Sequence, residues 1–204
     1  SAVIFHAVSV GEVHAAVPLI EQFLRAQPQT PVVVTTTTPT GSSRVQQLFG
    51  ERVRHVYLPY DVPGAVSRFF RHFQPRLLVL LETELWPNLL HAAAANSCPV
   101  LLVNARLSPK SLASYQRIAK LTQQMLQQLT LVAAQADADG ARFVALGLPA
   151  GRLQVTGSLK YDVAIRHDKV SAAYRLKSQW HGRAVWIAAS TREGEDALVL
   201  QALA

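Results

Sequence analysis

The sequence predicts an α/β protein built on a doubly wound parallel sheet, and three observations carry that prediction. Short, continuous apolar runs alternate with longer amphipathic stretches, as expected of strands buried on both faces and joined by helices. Six such strand-helix units follow one another in the first three quarters of the chain. The apolar share, 50% of 204 residues, is enough for one full core, and the length allows one domain plus part of another.

The elements follow in order. Residues 3–8 form a first apolar strand that ends in the turn Ser9-Val10-Gly11, and a helix runs from 12 to 26, bent slightly at Pro18. A second strand, 32–36, meets the hydroxyl-rich turn Thr38-Pro39-Thr40-Gly41-Ser42 and a helix at 42–48. The third unit pairs strand 53–58 with helix 65–73. The fourth pairs the five-residue run 77–81 with a helix at 87–96, for which Pro87 suits the first position. Strand 100–103 precedes a long helix at 111–129, and strand 131–134 precedes a helix at 137–146.

After Val155 the pattern changes through Thr156-Gly157-Ser158-Leu159-Lys160-Tyr161-Asp162, which marks a domain boundary. Residues 1–162 are read as an N-terminal Rossmann-like domain and 163–183 as a linker carrying a helix near 171–179. Residues 184–204 read as the opening strand (184–188) and helix of a second domain that then stops, since one such unit cannot bury its own faces.

The net charge of +7, from 20 Lys and Arg set mostly singly, favours an anionic partner. Nucleic acid is disfavoured as that partner. The chain has no long basic run, no zinc spacing and no basic strand interleaved with aromatics. The single cysteine, Cys98, needs no oxidising compartment and reads as a buried structural thiol, so a cytosolic setting is expected. No charged leader opens the sequence and no apolar stretch approaches the roughly 18 residues of a membrane span. Any membrane contact is expected from the surface or through a segment outside this sequence.

The residues that bear chemistry lie where strands end. Ser9-Val10-Gly11-Glu12 has one glycine and lacks the spacing that wraps a dinucleotide pyrophosphate, but it presents Ser9, the amides of a helix start and a carboxylate. Glu12 can serve as a general base or simply complement the helix dipole. Leu81-Glu82-Thr83-Glu84-Leu85-Trp86-Pro87-Asn88 runs a buried strand into two acids. Glu82 is expected in or under the crevice and Glu84 as a helix-start or loop acid, while a structural cap is the alternative for the pair. Both strand ends address one crevice if the sheet is open.

Asp137-Ala138-Asp139 has the DxD form of some metal-binding glycosyltransferases but opens a helix, where acids cap, and two oxygen ligands do not hold a hard cation. The seven histidines include no paired spacing, so no metal is expected. The Thr38–Ser42 turn reads as an N-cap or an anion-facing turn. Arg106, just past the fifth strand, reads as a phosphate contact or a solvated surface arginine.

Six segments taken together resemble the Kdo (3-deoxy-D-manno-oct-2-ulosonic acid) transferases. They are His6-Ala7-Val8-Ser9-Val10-Gly11-Glu12, Thr38-Pro39-Thr40-Gly41-Ser42, Tyr57-Leu58-Pro59-Tyr60-Asp61, Glu82-Thr83-Glu84-Leu85-Trp86-Pro87-Asn88, Asn104-Ala105-Arg106-Leu107-Ser108 and Gly157-Ser158-Leu159-Lys160-Tyr161-Asp162. The resemblance implies a GT-B fold of two Rossmann-like domains and an inverting transfer of Kdo from CMP-Kdo to the lipid A precursor (lipid IVA) of lipopolysaccharide. It implies Glu12 as general base, Glu82 and Lys160 as supports of the transition state, and no metal or cofactor. Ser9, Gly11 and Arg106 are then acceptor-binding residues, Arg106 for a phosphate. The expected place of work is the anionic cytoplasmic face of the bacterial inner membrane.

In this family the donor pocket comes mostly from the C-terminal domain, so a chain ending at Ala204 is expected to be inactive alone. Arg192 departs from the family's more usual His in Ser-Thr-His-Glu-Gly-Glu. The alternatives are another GT-B sugar-nucleotide transferase, since fold does not fix function, and a non-catalytic lipid A or phospholipid binding module.

Overall fold

The computed structural model describes residues 1–162 and 167–203. The chain divides into two compact units, Ser1–Val163 and Ala164–Ala204.

In the first unit β1 (Val3–His6), α1 (Val10–Ala26), β2 (Val32–Thr36), α2 (Pro39–Phe49), β3 (Arg54–Tyr57), α3 (Pro63–Phe73) and β4 (Leu77–Leu81) come first. Then follow α4 (Pro87–Ala95), β5 (Val100–Ala105), α5 (Pro109–Gln116), α6 (Ala119–Gln128), β6 (Leu131–Ala134), α7 (Asp137–Ala145) and β7 (Leu153–Val155). The seven strands form one sheet in the order β3-β2-β1-β4-β5-β6-β7, parallel throughout.

The apolar runs are continuous because successive strand residues feed opposite faces, and both faces are covered. Ile4, Leu78, Leu80 and Leu102 pack with Phe69 and Phe70 of α3, Leu89 and Leu90 of α4 and Met125 and Leu126 of α6. Val3, Phe5, Val79 and Leu81 pack on the other side with Val13 and Ile20 of α1 and Val45 and Phe49 of α2. Each fully buried side chain of this size stabilises the fold by about 1.5–3 kcal/mol relative to exposure. That total holds the sheet edge rigid enough to position a site.

The structure departs from the sequence reading at several places. Helices α2, α3 and α5 begin earlier than expected because Pro39, Pro63 and Pro109 occupy the first helical turn, where a missing N–H costs nothing. The expected helix 111–129 is two helices, broken at Arg117 and Ile118, where Ile118 leaves helical geometry at φ −117°. The three-residue β7 was not expected; it forms because β6 offers it a ladder, with Val132 opposite Leu153 and Ala134 opposite Val155.

The second unit contains α8 (His167–Ser178) and α9 (Glu195–Leu203). The strand expected at 184–188 is not formed, and Trp186 and Ile187 are exposed. A parallel strand exists only through hydrogen bonds to a neighbour, and among the described residues this segment has none. The first residues of the expected linker, 163–166, and Ala204, the last residue of the expected second domain, lie outside the described residues.

Candidate active site

The chain moves from β1 outward through β2 to β3, then returns to β4 on the other side of β1 and proceeds outward through β7. The carboxyl ends of β1 and β4 therefore flank the point where the winding reverses, and a crevice opens there because the connections depart in opposite directions. Glu12 follows β1 and Glu82 follows β4.

Glu12 is buried in the first turn of α1. Its carboxylate accepts the Val8 N–H at 2.8 Å and the Ser9 hydroxyl at 3.0 Å, while Ser9 Oγ accepts the Glu12 N–H at 3.4 Å. This is the reciprocal logic of a capping box, shifted by one residue on the amide side. Burial pushes the Glu12 carboxyl above its ordinary value, the bonds from Val8 and Ser9 oppose that, and the nearby Glu82 charge adds to the rise. A rigidly held carboxylate more basic than an exposed one is suited to accept a proton.

Glu82 sits at φ 58°, a left-handed conformation uncommon outside glycine, with its N–H bonded to the Val103 carbonyl at 3.0 Å. Asn104, one strand over, is also left-handed at φ 53°. Two such residues at adjacent strand ends place the strain along the edge that addresses the crevice.

Glu84 is a loop acid between β4 and α4, as expected, and it also lies close to Glu12 and Glu82. Its Oε2 accepts the Trp86 indole N–H at 2.9 Å. Burial pushes its carboxyl up, and the Glu12 and Glu82 charges push in the same direction. The Tyr115 phenol is raised as well, by burial and then by Glu84. The local signal for Glu84 is the tryptophan two residues on, whereas its nearness to Glu12 and to Tyr115 of α5 is set by the fold.

The two cations lie beside the acids, not among them. Arg106 and Lys160 line one concavity of about 560 Å³ with Gln135, Asp139, Ser158 and Tyr161. The Thr83 hydroxyl donates to the Arg106 carbonyl, which ties the loop bearing Glu82 and Glu84 to the loop bearing Arg106. Lys160 is in a 3-10 turn, Leu159–Tyr161, capped by Ser158. That turn is docked through Leu159, whose N–H donates to Asn104 Oδ1 at 3.1 Å and whose side chain packs on the α1 side of the core. Asn104 is thus the strut between β5 and the Lys160 turn.

Of the acceptor-binding expectations, Ser9 is engaged with Glu12. Gly11 is exposed, and a Cβ placed there would meet only Ser9 Oγ, at 3.8 Å, so its small size leaves the helix start open.

Other polar residues hold the frame. Asp61 accepts the N–H groups of Asn88 at 3.0 Å and Leu89 at 2.8 Å, capping α4 from 27 residues away in sequence. Asp139 accepts the Leu107 N–H at 2.9 Å and pairs with Arg142 at 3.3 Å, so this half of the DxD sequence fixes the loop after β5. Among the described residues no cluster of three His, Cys, Asp or Glu could hold a metal. Cys98 is buried and its thiol is pushed up to about 11.

A seven-stranded parallel Rossmann-like sheet covered by helices on both faces is that of the N-terminal domain of a GT-B architecture. The same fold occurs in the UDP-GlcNAc 2-epimerase of Neisseria meningitidis bound to UDP-GlcNAc, at TM-score 0.58 and 15% identity over 87% of this chain and 50% of that one. It occurs also in the UDP-N-acetylglucosamine 2-epimerase of Rickettsia bellii, at TM-score 0.55 and 15% identity over 86% and 48%. At such identities the likeness concerns the fold.

The chain belongs to the 3-deoxy-D-manno-octulosonic-acid transferase (kdotransferase) family, whose model matches residues 1–163. It is 42% identical over 200 residues to the 3-deoxy-D-manno-octulosonic acid transferase of Haemophilus influenzae, covering 98% of this chain and 47% of that protein. Against the transferase of the same name from Bordetella pertussis it is 43% identical over 206 residues, covering 97% and 46%. The chain spans about half the length of the curated relatives it matches.

Proposed function

We propose that the protein containing these residues is an inverting Kdo transferase that moves Kdo from CMP-Kdo to a lipid A precursor. The observation that carries this reading, beside family membership, is the Glu12 carboxylate, made more basic by burial and fixed by Val8 and Ser9 at the sheet's reversal point. On this reading Glu12 accepts the proton of an acceptor hydroxyl as its oxygen attacks the anomeric carbon of Kdo. The bond from that carbon to the CMP phosphate oxygen breaks on the opposite face, so the configuration inverts.

Glu82 and Lys160 support the transition state, Lys160 through positive charge near the developing anion. Arg106 shares the concavity of Lys160 and is suited to a phosphate of the acceptor, held by charge-assisted hydrogen bonds. A phosphate is repelled by the Glu12, Glu82 and Glu84 cluster and attracted by Arg106 and Lys160, whose concavity also holds Asp139, itself paired with Arg142.

The same reading places the protein at the cytoplasmic face of the inner membrane. In support, the α5–α6 surface exposes Ile118 and Leu121 beside Arg117 and Lys120, apolar and basic together as an anionic leaflet requires. No helix among the described residues is long and apolar enough to cross a membrane.

The test is to incubate the full-length protein with CMP-Kdo and lipid A precursor and read the product by mass spectrometry. A mass increase by whole Kdo residues is expected. Unchanged acceptor in the presence of CMP-Kdo, with folded enzyme, would overturn the proposal.

A further inference from the structure

Three departures from a regular strand fall together near the end of β5. Leu102 stands opposite Val132 and Ala105 opposite Ala134, so β5 takes three steps where β6 takes two. The extra residue makes a bulge, a device that turns a side chain away from the face it would otherwise join. Asn104, inside the bulge, has a left-handed backbone at φ 53°. It is 1% exposed, and among the described residues its amide Nδ2 has no hydrogen-bond partner. A left-handed backbone is strained and a buried donor has lost its water, so both features cost stability. Such a cost at a strand end beside a crevice points to function.

The bulge redirects one acceptor. In a regular strand Asn104 would share the face of Leu102, which packs with α4 and α6. Its Oδ1 instead accepts the Leu159 N–H at 3.1 Å, and Leu159 packs on the α1 side of the sheet. Gln135, just after β6, braces the bulge by donating its side-chain amide to the Asn104 carbonyl and its N–H to the Ala105 carbonyl, each at 2.9 Å.

The groups proposed to support the transition state hang on this short segment. Val103, before Asn104, accepts the Glu82 N–H at 3.0 Å, and the Arg106 carbonyl accepts the Thr83 hydroxyl. Leu159, bonded to Asn104, immediately precedes Lys160 in its 3-10 turn. Residues 103–106 therefore hold the loop of Glu82 and the turn of Lys160 at once. An aspartate at 104 would accept the same N–H and leave no orphaned amide, but it would add a negative charge at the strand end beside Glu82. Asparagine keeps the acceptor neutral.

We infer that Asn104 is a positioning residue: from a bulge next to the residue that holds Glu82, it accepts the Leu159 N–H and so sets Lys160 against Glu82. Its consequence for turnover rests on the transferase reading, whereas the bond itself is read separately.

The test removes that bond from either end in the full-length protein. Asn104→Gly deletes the acceptor and suits the left-handed backbone. Leu159→Pro deletes the donor at the first position of its turn, after Ser158, whose φ of −97° and ψ of 129° a following proline accepts. Amide exchange of residues 157–162, read by mass spectrometry, is expected to be slow in wild type and faster in both variants. Asn104→Gly is expected to unfold in urea close to the wild-type midpoint, because the strain and the unpaired amide leave with the bond.

In the transfer assay each variant is expected to lower kcat about tenfold to a hundredfold with both Michaelis constants held, because a displaced Lys160 fails in the transition state and not in binding. In a Lys160→Ala background Asn104→Gly is expected to change kcat by less than about twofold, since the charge it positions is gone.

Unchanged exchange in both variants overturns the inference, as does a kcat within about twofold of wild type in both or a full loss that persists in the Lys160→Ala background. If both variants fail to fold, Asn104 serves folding and the inference is overturned. If wild type transfers no Kdo but exchange quickens in the variants, the transferase reading falls and the positioning of the Lys160 turn stands.

Discussion

Replacing Glu12 by Gln separates the chemistry of the carboxylate from its structural duty. In the native protein one carboxylate oxygen accepts the Val8 N–H and the other the Ser9 hydroxyl. Gln offers the same outline: its carbonyl oxygen can take the Val8 N–H, and its amide can donate to Ser9 Oγ once that hydroxyl turns from donor to acceptor. The change loses the extra strength of charge-assisted bonds, about 1 kcal/mol, and removes the repulsion from Glu82 and Glu84, which offsets it. Stability should therefore stay within about 1 kcal/mol of wild type. Turnover should fall by about 10² to 10⁴, or roughly 3 to 5.5 kcal/mol of barrier, because no proton acceptor is left.

The pH dependence has a definite sign. In the proposed role Glu12 works ionised, so wild-type kcat/KM should be lost as pH falls through the Glu12 value, which lies above the ordinary 4.5. For stability the same rise means that the Glu12 contribution is present below 4.5 and lost as pH rises through the raised value, so the Gln variant gains on wild type across that window. The assay is steady-state release of CMP by the full-length enzyme from pH 5 to 9, beside urea unfolding. Activity of Glu12→Gln within threefold of wild type, or an acidic limb unchanged in the variant, would refute the assignment.

Lys160→Ala should lower kcat while leaving both Michaelis constants nearly unchanged, since its charge is proposed to act in the transition state; a raised KM at constant kcat, read from the same steady-state assay, would assign it to binding. Asp61→Ala removes the acceptor for the Asn88 and Leu89 amides and should destabilise the first unit by about 2 kcal/mol, read as a lower urea midpoint at constant slope. His6 is buried and its imidazole is held down at about 4 by burial, against an ordinary 6.5. Unfolded chains take up that proton first, so stability should fall as pH drops from 6.5 towards 4, by about 2 kcal/mol at pH 5, and His6→Gln should remove that part of the acid loss in urea titrations.

How much of this was legible follows the range of the forces involved. Strands 32–36, 77–81 and 131–134 match the sequence reading to the residue, because a strand buried on both faces writes itself as an unbroken apolar run. The starts of α2, α3 and α5 were read late, since a proline marks a turn and a first helical position equally well. The three residues of β7 carry too little pattern, and the strand exists only because β6 is beside it. At the site, Ser9-Val10-Gly11-Glu12 already held its capping spacing, and Glu82 its place at a strand end. Glu84 did not stand out, because its partial burial and its nearness to Glu12 depend on neighbours that local sequence does not name.

By itself the sequence determined the alternation of strands and helices, the strand ends on which the acids ride and the resemblance that assigns them chemistry, all of which are periodicities or contiguous motifs. The tertiary structure alone decided that β4 lies beside β1, which brings Glu82 and Glu84 to Glu12 across some seventy residues of chain. It decided that Asp61 caps a helix 27 residues away, that Asn104 holds the Lys160 turn and that Arg106 and Lys160 share one concavity. The physical reason is common to these cases. Burial and charge repulsion depend on distance in space, and that distance is set only when both faces of the sheet are packed.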